Sequence, residues 1–254
     1  MSVESTGWLE ALALALPQFQ LSPRHMDRFV CVMNADGSVE VHEPQVNVRL
    51  RVTPAAQEHS RASAFPISSS LLAGDGAAPS DTRSPARRAP ALEDSVVDLF
   101  DRCGEISAAT NVRAACATAL DIVQEFVPAN AGAVLMITRD NSKLRFVAAF
   151  GPQAQKVVDS TLPVNHGIAG FIFDFPMGLI VEDVHTDARF SAGTDRSSGY
   201  ATHSLLAVPV RSADGPVYGC LELLNSVDGF GPKDLETTQM IASALGAWLA
   251  GAQA

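Results

Sequence analysis

Three histidines, His166, His185 and His203, surround a polar stretch in the second half of this 254-residue chain. Imidazole could bind a metal or a haem iron, but no cysteine or second histidine stands at ligand spacing from any of them. The GxSxG nucleophile elbow, the P-loop and the GxGxxG dinucleotide pattern are also missing from the sequence. The residue pattern therefore predicts neither a metal site nor an enzyme.

The polar stretch itself, Asp183–His203, is a better candidate for a functional segment. It separates two apolar runs, Gly178–Glu182 and Ser204–Val210, which we predict to be strands. A third apolar run, Val217–Leu224, follows after Asp214-Gly215, and Asp-Gly between apolar runs is typical of a hairpin. Long internal segments are often functional, so we predict a sheet with a flap, Asp183–His203, over a pocket.

The order and spacing of several short motifs resemble the GAF domain, a small-molecule-binding and dimerising module of sensor proteins and cyclic-nucleotide phosphodiesterases. The resemblance covers residues 93–251. The matching pieces are Gly167-Ile168-Ala169-Gly170, Asp187-Ala188-Arg189-Phe190, Gly199-Tyr200-Ala201-Thr202, Val208-Pro209-Val210, Gly219-Cys220-Leu221-Glu222, and Asn225 with Phe230 and Asp234. The resemblance implies an α+β fold, with a GAF/PAS-like central antiparallel sheet and helices from both ends of the domain packed on one face.

Within that family, the flap is most similar to the cyclic-nucleotide phosphodiesterase type. The resemblance implies stacking on a ring, a helix N-terminus for a phosphate and polar flap contacts. The implied ligand-binding residues are Phe150, Ile168, Ala169, Asp195, Ser198, Thr202 and Glu222. Two positions depart from the pattern, since Gly151 and Ser191 stand where a polar residue and an aromatic are typical. A cyclic nucleotide, another small ligand and an empty pocket therefore all stay open, and no cofactor is predicted.

The first and last helices of this region carry apolar residues that could form a dimer. Helix one is predicted over about Glu93–Ala109, and the last helix over Pro232–Leu249. Apolar residues of helix one recur at spacings of 4-3-4-3, which is typical of a coiled-coil seam and is also compatible with a core-facing helix. The predicted dimer seam consists of Leu92, Val96, Leu99, Cys103, Ile106, Leu245 and Trp248.

The chain divides into three predicted segments. Residues 1–53 carry a short helix, Trp8–Leu16, and three extended runs, a set that is marginal as an independent domain and could dock on the rest of the chain. Residues 54–92 are rich in Ala, Ser, Pro and Arg and are predicted to be a flexible linker. Residues 93–254 form the GAF-like domain, which we expect to fold alone.

Composition narrows the function classes further. The net charge is −10, and residues 93–254 carry 10 basic against 19 acidic side chains, so nucleic-acid binding is not expected. The four cysteines form no CxxC pair, and neither a signal peptide nor an apolar run of membrane-spanning length is visible. These features favour a cytoplasmic protein that does not bind membranes, and the excess of Arg and Ala is typical of a GC-rich bacterium.

Two functions are compatible with this sequence. The first is a non-enzymatic sensory module that binds a small ligand under the flap. It would form a homodimer and signal through its terminal helices to a separate protein partner, because no output segment follows the last helix. The alternative is a protein-interaction and dimerisation scaffold in which the pocket has no ligand.

Overall fold

The computed structural model describes residues 2–4, 12, 30–33, 38–43, 48–53, 64–69, 92–212 and 215–252. The helices are α1 (Leu92–Gly104), α2 (Val112–Phe126), α3 (Ala154–Val157), α4 (Gly167–Asp174), α5 (Gly193–Ser198) and α6 (Pro232–Ala252), with 3₁₀ turns at Glu105–Ala108 and Val184–Thr186. The strands are β1 (Ser2–Glu4), β2 (Val30–Met33), β3 (Val39–Glu43), β4 (Val48–Val52), β5 (Ala64–Ser69), β6 (Ala131–Ile137), β7 (Lys143–Phe150), β8 (Thr161–Pro163), β9 (Gly178–Val181), β10 (Leu205–Arg211) and β11 (Val217–Leu224). None of the helices in the described ranges combines the length and hydropathy that a membrane span requires.

The strands form one mixed sheet in the order β1-β5-β4-β3-β2-β9-β10-β11-β6-β7-β8. Neighbouring strands are antiparallel except β2 and β9, which run parallel. The strand predicted at Val217–Leu224 has the bounds expected from the sequence. The Asp214 position of the predicted hairpin lies outside the described residues.

Helices from both ends of the predicted domain pack on one face of this sheet. Because successive strand residues point to opposite faces, Leu206 and Val208 of β10 belong to the core that includes α2 and α6, whereas Leu205 and Ala207 point to the other face. Helix α2 begins at Asn111, whose side chain accepts a hydrogen bond from the Ala114 N–H. The predicted α+β fold, with the terminal helices on one face, is confirmed.

The amino-terminal strands extend this sheet rather than forming a separate unit. Strand β2 pairs with β9 from Val30 opposite Gly178 to Met33 opposite Val181. Cys31 is completely buried in the same core as Leu179. The structure therefore shows β2 associated with the rest of the chain, as the sequence allowed. Of the predicted helix Trp8–Leu16, the structure describes only Leu12, which is helical and buried.

The stretch predicted as a linker also contains regular structure. Strand β5, Ala64–Ser69, pairs with β4 and β1 inside the 54–92 range, although the sequence there shows no usable periodicity. The rest of that range, apart from Leu92 in α1, lies outside the described residues. The expectations that this segment is flexible and that residues 93–254 fold alone stay predictions.

The predicted dimer seam is divided between the core and the surface. Leu99, Ile106 and Leu245 are at most 4% exposed and belong to the core on the helical face, and Cys103 and Trp248 are half-buried against it. The other described seam side chain, Val96, is 54% exposed. The interpretation of these residues as one seam is therefore corrected. Helix α1 packs against α2 and α6 of its own chain, and the 4-3-4-3 spacing of its apolar residues serves this packing. A homodimer stays a prediction.

A cavity under the flap as candidate ligand-binding site

A cavity of about 370 Å³ opens on the face of the sheet opposite to α1, α2 and α6. Its floor is formed by β6, β7 and β11, one wall by α4, and its cover by the flap, which includes α5. This volume lies at the lower end of the range of roughly 300–1,000 Å³ that is typical of small-molecule sites. The predicted combination of a sheet, a flap and a pocket is therefore present.

The structure brings all the predicted ligand-binding residues together around this cavity. They are Phe150, Ile168, Ala169, Asp195, Ser198, Thr202 and Glu222. These residues come from a strand end, a helix start, the flap and a central strand, so they are far apart in the sequence. Their role in binding a ligand stays a prediction.

Sequence reasoning missed Phe146, which also lines the cavity. Phe146 pairs with Leu135, whereas Ala148 pairs with Val134, so Val147 is an extra residue on β7. This β-bulge places Phe146 on the cavity face and Ala148 on the helical face, although strict alternation would put both on one face. The alternation of this strand breaks off in its second half, which is the one signal that could have indicated the bulge.

Glu222 brings a carboxylate into the cavity from β11. Its neighbours across the sheet are Ala207 on β10 and Ala133 on β6, neither of which has a polar side chain. No residue in the described part of the chain donates a hydrogen bond to this carboxylate or forms an ion pair with it. Burial raises the pKa of Glu222 from 4.5 to about 7, so the group titrates near neutral pH.

The polar flap residues, by contrast, already have partners. The two carboxylate oxygens of Asp195 accept hydrogen bonds from the backbone N–H and the hydroxyl of Thr202, both at 2.8 Å. The Ser198 hydroxyl donates to the Thr194 carbonyl at 2.9 Å and accepts from the Tyr200 N–H at 3.2 Å. These three predicted ligand contacts therefore shape the flap, and a ligand would have to share or break their hydrogen bonds.

Asn225 holds the carboxyl end of the flap against the end of β11. Its Oδ1 accepts hydrogen bonds from the N–H groups of His203 and Ser204, at 2.7 and 3.2 Å. Its Nδ2 donates to the Ala201 carbonyl at 2.8 Å and to the Tyr200 hydroxyl at 3.1 Å. Asn225 is one of the family motif residues in the sequence, and its side chain fixes the flap.

The start of α4 lies at the mouth of the cavity. Gly167 has φ of +70°, and no side chain caps the helix. In the described ranges, no acceptor is found for the N–H groups of Ile168 and Ala169. His166 Nε2 lies 2.7 Å from the Ser191 Oγ, so the start of α4 and the flap are joined across this mouth.

Gly151 cannot carry the polar side chain that the phosphodiesterase-type pattern has at this position. It has φ of +103°, and a Cβ atom there would lie 2.6 Å from the Ala131 Cβ and 2.8 Å from the Asn130 carbonyl oxygen. The backbone of this chain therefore requires glycine. Glycine at position 151, where the phosphodiesterase-type pattern has a polar residue, is therefore a structural difference in the site. The substitution Gly151→Asp would require β6 to move.

The sequence is similar to GAF domains of known proteins. A family model for the GAF domain matches residues 111–248, more than half of the chain. The chain is 30% identical over 95 residues to the dual 3',5'-cyclic-AMP and -GMP phosphodiesterase 11A of Takifugu rubripes, covering 36% of this chain and 10% of that protein. It is 26% identical over 119 residues to the probable 3',5'-cyclic phosphodiesterase pde-5 of Caenorhabditis elegans, covering 43% and 16%. The chain thus spans a small part of these relatives.

Solved structures show the same fold. The GAF domain of an Acinetobacter phosphoenolpyruvate-protein phosphotransferase aligns with a TM-score of 0.55 at 17% identity, over 64% of this chain and 96% of its own. The chromophore-binding domain of an unusual bacteriophytochrome from R. palustris aligns over 95% of this chain and 79% of its own, with a TM-score of 0.50 and 12% identity. These low identities show the fold alone. With the family match, they establish that the chain belongs to the GAF domain family.

Proposed function

We propose that this GAF protein is a non-enzymatic sensory module that binds a small ligand in the cavity under the flap and passes the change to a separate protein. The observation that carries the proposal is the carboxylate of Glu222. It faces a cavity of ligand size, and no described residue satisfies it. A carboxylate accepts hydrogen bonds from several donors at once, so a ligand with hydrogen-bond donors could pair with this group. GAF domains are regulatory modules in many proteins, which agrees with this role.

The flap gives the proposed sensor a moving part. Its interactions with the rest of the chain include the Asn225 hydrogen bonds at one end and the His166–Ser191 contact at the mouth of the cavity. Both are short polar contacts, and the flap could open at the mouth without disturbing the sheet. We therefore propose that the ligand enters beside His166 and that its binding fixes the flap.

A bound small molecule is the first test of this proposal. Native mass spectrometry of the full chain purified from a cell extract should show a ligand that the cavity-filling variant Ala133→Leu lacks. The matched control, Ala108→Leu, adds the same side chain at an exposed position and should keep the ligand. Equal occupancy in Ala133→Leu would contradict the cavity as the site. Absence of any bound molecule, together with no thermal shift from a metabolite library, would contradict ligand sensing.

Cyclic nucleotides are one ligand class to test, because the name of the Takifugu rubripes relative refers to cyclic AMP and cyclic GMP. Gly151 provides no side chain for a purine edge, and Ser191 provides no ring for stacking. We expect calorimetry to give a dissociation constant in the micromolar range or weaker, since each missing contact is worth about 1–2 kcal/mol. Ser191→Phe should strengthen nucleotide binding, and no heat at millimolar nucleotide would exclude this class.

A second candidate function, a dimerisation scaffold, is favoured by the outer surface of α1. Val96, Val97 and Phe100 are 54%, 59% and 72% exposed and lie within about one and a half turns of the helix. We propose that this surface, rather than the predicted seam, forms the homodimer or contacts the separate protein partner. Light scattering of the full chain, compared with Phe100→Glu, would test it. A monomer at tens of micromolar would exclude the homodimer.

We also propose that the protein works in the cytoplasm. The four cysteines, Cys31, Cys103, Cys116 and Cys220, are all free thiols. Free thiols persist in reducing compartments, where disulfides are rare. Fractionation of cells that express the full chain would test this location.

A further inference from the structure

The charges and aromatic rings around the cavity indicate which class of small molecule it would bind, provided that it is a ligand site as proposed above. We infer that the ligand is a small organic cation, namely an amine, amidine or guanidine on a compact apolar body, whose nitrogen pairs with Glu222. This assignment differs from the nucleotides named for the relatives, since a nucleotide carries a negative charge.

The first argument is that no described residue donates a hydrogen bond to the carboxylate of Glu222. The residues directly across the sheet are alanines on both sides, so they leave room beside the carboxylate and provide no donor. A carboxylate accepts hydrogen bonds from several donors at once, and charged donors form the strongest of these bonds. An ammonium, amidinium or guanidinium group would supply both the donors and the opposite charge.

The second argument is the aromatic content of the cavity. Its lining includes the rings of Phe146, Phe150, Phe190 and Tyr200. The faces of aromatic rings attract cations, by about 0.5–2 kcal/mol for each well-placed ring. The same rings would cover the apolar body of the ligand. A carboxylate and the faces of aromatic rings can pair with a cation, whereas a phosphate needs donors or positive charge.

The third argument is the distribution of charge. No Lys or Arg is among the residues that line the cavity in the described part of the chain. The nearby Lys156 directs its Nζ to the Ser198 carbonyl oxygen at 2.9 Å. Asp195 adds a second carboxylate, and residues 93–254 carry 10 basic against 19 acidic side chains. The field of the domain therefore attracts cations and repels anions.

The titration of Glu222 makes the inference measurable. Its pKa of about 7 belongs to a carboxyl group without a cation beside it, and a bound cation would favour the ionised form. Binding should therefore release a proton below pH 7, and affinity should rise about tenfold between pH 6 and pH 8. A neutral ligand that accepts a hydrogen bond from the protonated carboxyl would show the opposite trend.

Other ionisable groups near Glu222 have to be separated from this effect. Strands β6 and β10 place alanines opposite it, and its own strand adds the Cys220 thiol. The flap contributes Asp195 and Tyr200, and the start of α4 contributes His166. His166 is an ionisable group at the mouth of the cavity, so the pH profile has to be repeated in the His166→Gln variant.

Benzamidine, benzamide and benzoate form a matched set of probes, since they share one ring and differ in charge. Calorimetry with the full chain at pH 8 should detect benzamidine, with benzamide at least tenfold weaker and benzoate not bound. Glu222→Gln should weaken benzamidine at least tenfold and remove the pH dependence, which should persist in His166→Gln. Phe150→Leu, which keeps an apolar side chain without the ring, should weaken benzamidine about threefold or more.

Several outcomes would overturn the cation assignment. They are no binding of benzamidine up to about 20 mM, equal binding of benzamide, or unchanged binding to Glu222→Gln. Tight binding of cyclic GMP with no binding of benzamidine would also overturn it, while leaving the proposed sensory function intact. A different result is expected if the proposed sensory function is wrong. In that case Ala133→Leu would leave the binding of every ligand unchanged, whatever the charge of the ligand.

Discussion

The Glu222→Gln substitution should stabilise the folded protein at neutral and alkaline pH. It replaces a carboxyl group by a neutral amide of nearly the same size in a place where no described residue satisfies the charge. The pKa rises from 4.5 to about 7, a difference of about 2.5, and each unit corresponds to about 1.4 kcal/mol. The ionised carboxylate therefore costs the empty protein roughly 3 kcal/mol, which the amide avoids.

The sign of the pH dependence follows from the direction of the shift. Below pH 4.5 the carboxyl is protonated in both the folded and the unfolded chain, and there is no penalty. Between pH 4.5 and 7 the unfolded chain loses the proton first, so the contribution of Glu222 to the free energy of unfolding falls. Above pH 7 the folded protein loses it as well, and the penalty stays constant.

Urea denaturation at pH 5 and pH 8 would measure this effect. The variant should exceed the unmutated protein by less than about 1 kcal/mol at pH 5 and by roughly 3 kcal/mol at pH 8. Glu182→Gln, a change of the same type at an exposed position, is the control and should give no such difference. Equal stabilisation at both pH values would refute the reasoning, and so would destabilisation at pH 8.

Four further substitutions test the fold and the flap. Leu99→Ala should lower the free energy of unfolding in urea by about 2–5 kcal/mol, because Leu99 is buried. Phe100→Ser, at an exposed position, should change the stability of a monomer by less than about 0.5 kcal/mol. Equal losses would contradict the assignment of Leu99 to the core. Asn225→Ala should speed the proteolytic cleavage of the flap, because it removes four hydrogen bonds; an unchanged cleavage rate would show that other contacts hold the flap. Gly246→Ala should lower the stability by about 1–3 kcal/mol in thermal unfolding, because its Cβ would overlap the backbone of Arg211, and a neutral result would mean that α6 can move away from β10.

Local patterns in the sequence predict much of this fold. The β11 strand has the predicted bounds, because an apolar run that follows a turn signal defines it within one window. The predicted ligand-binding residues also line the cavity, since the family motif fixes their order along the chain. Glu222 could be named in advance, but its lack of a partner could not, because that depends on Ala133 and Ala207 of two other strands.

Long-range pairing is what the sequence leaves undetermined. The β2 strand pairs with β9 across about 150 residues, and no local pattern indicates which sheet edge an apolar strand will join. The α1 periodicity gave a similar ambiguity, because a core-facing helix and a dimer seam can share the same spacing. Burial of Leu99 and exposure of Phe100 resolve it, and both depend on where α2 and α6 lie.

The stability of the empty protein and the affinity for a ligand are linked through Glu222. The unsatisfied carboxylate lowers the stability by roughly 3 kcal/mol above pH 7, and a cation that pairs with it would recover part of that free energy on binding. A ligand that binds the folded state raises its stability in proportion to the logarithm of its concentration over the dissociation constant. Glu222→Gln should thus raise the melting temperature of the empty protein and reduce the further rise that benzamidine produces. A carboxylate with only a structural role would not combine these two effects, since its removal would leave the ligand-induced rise unchanged.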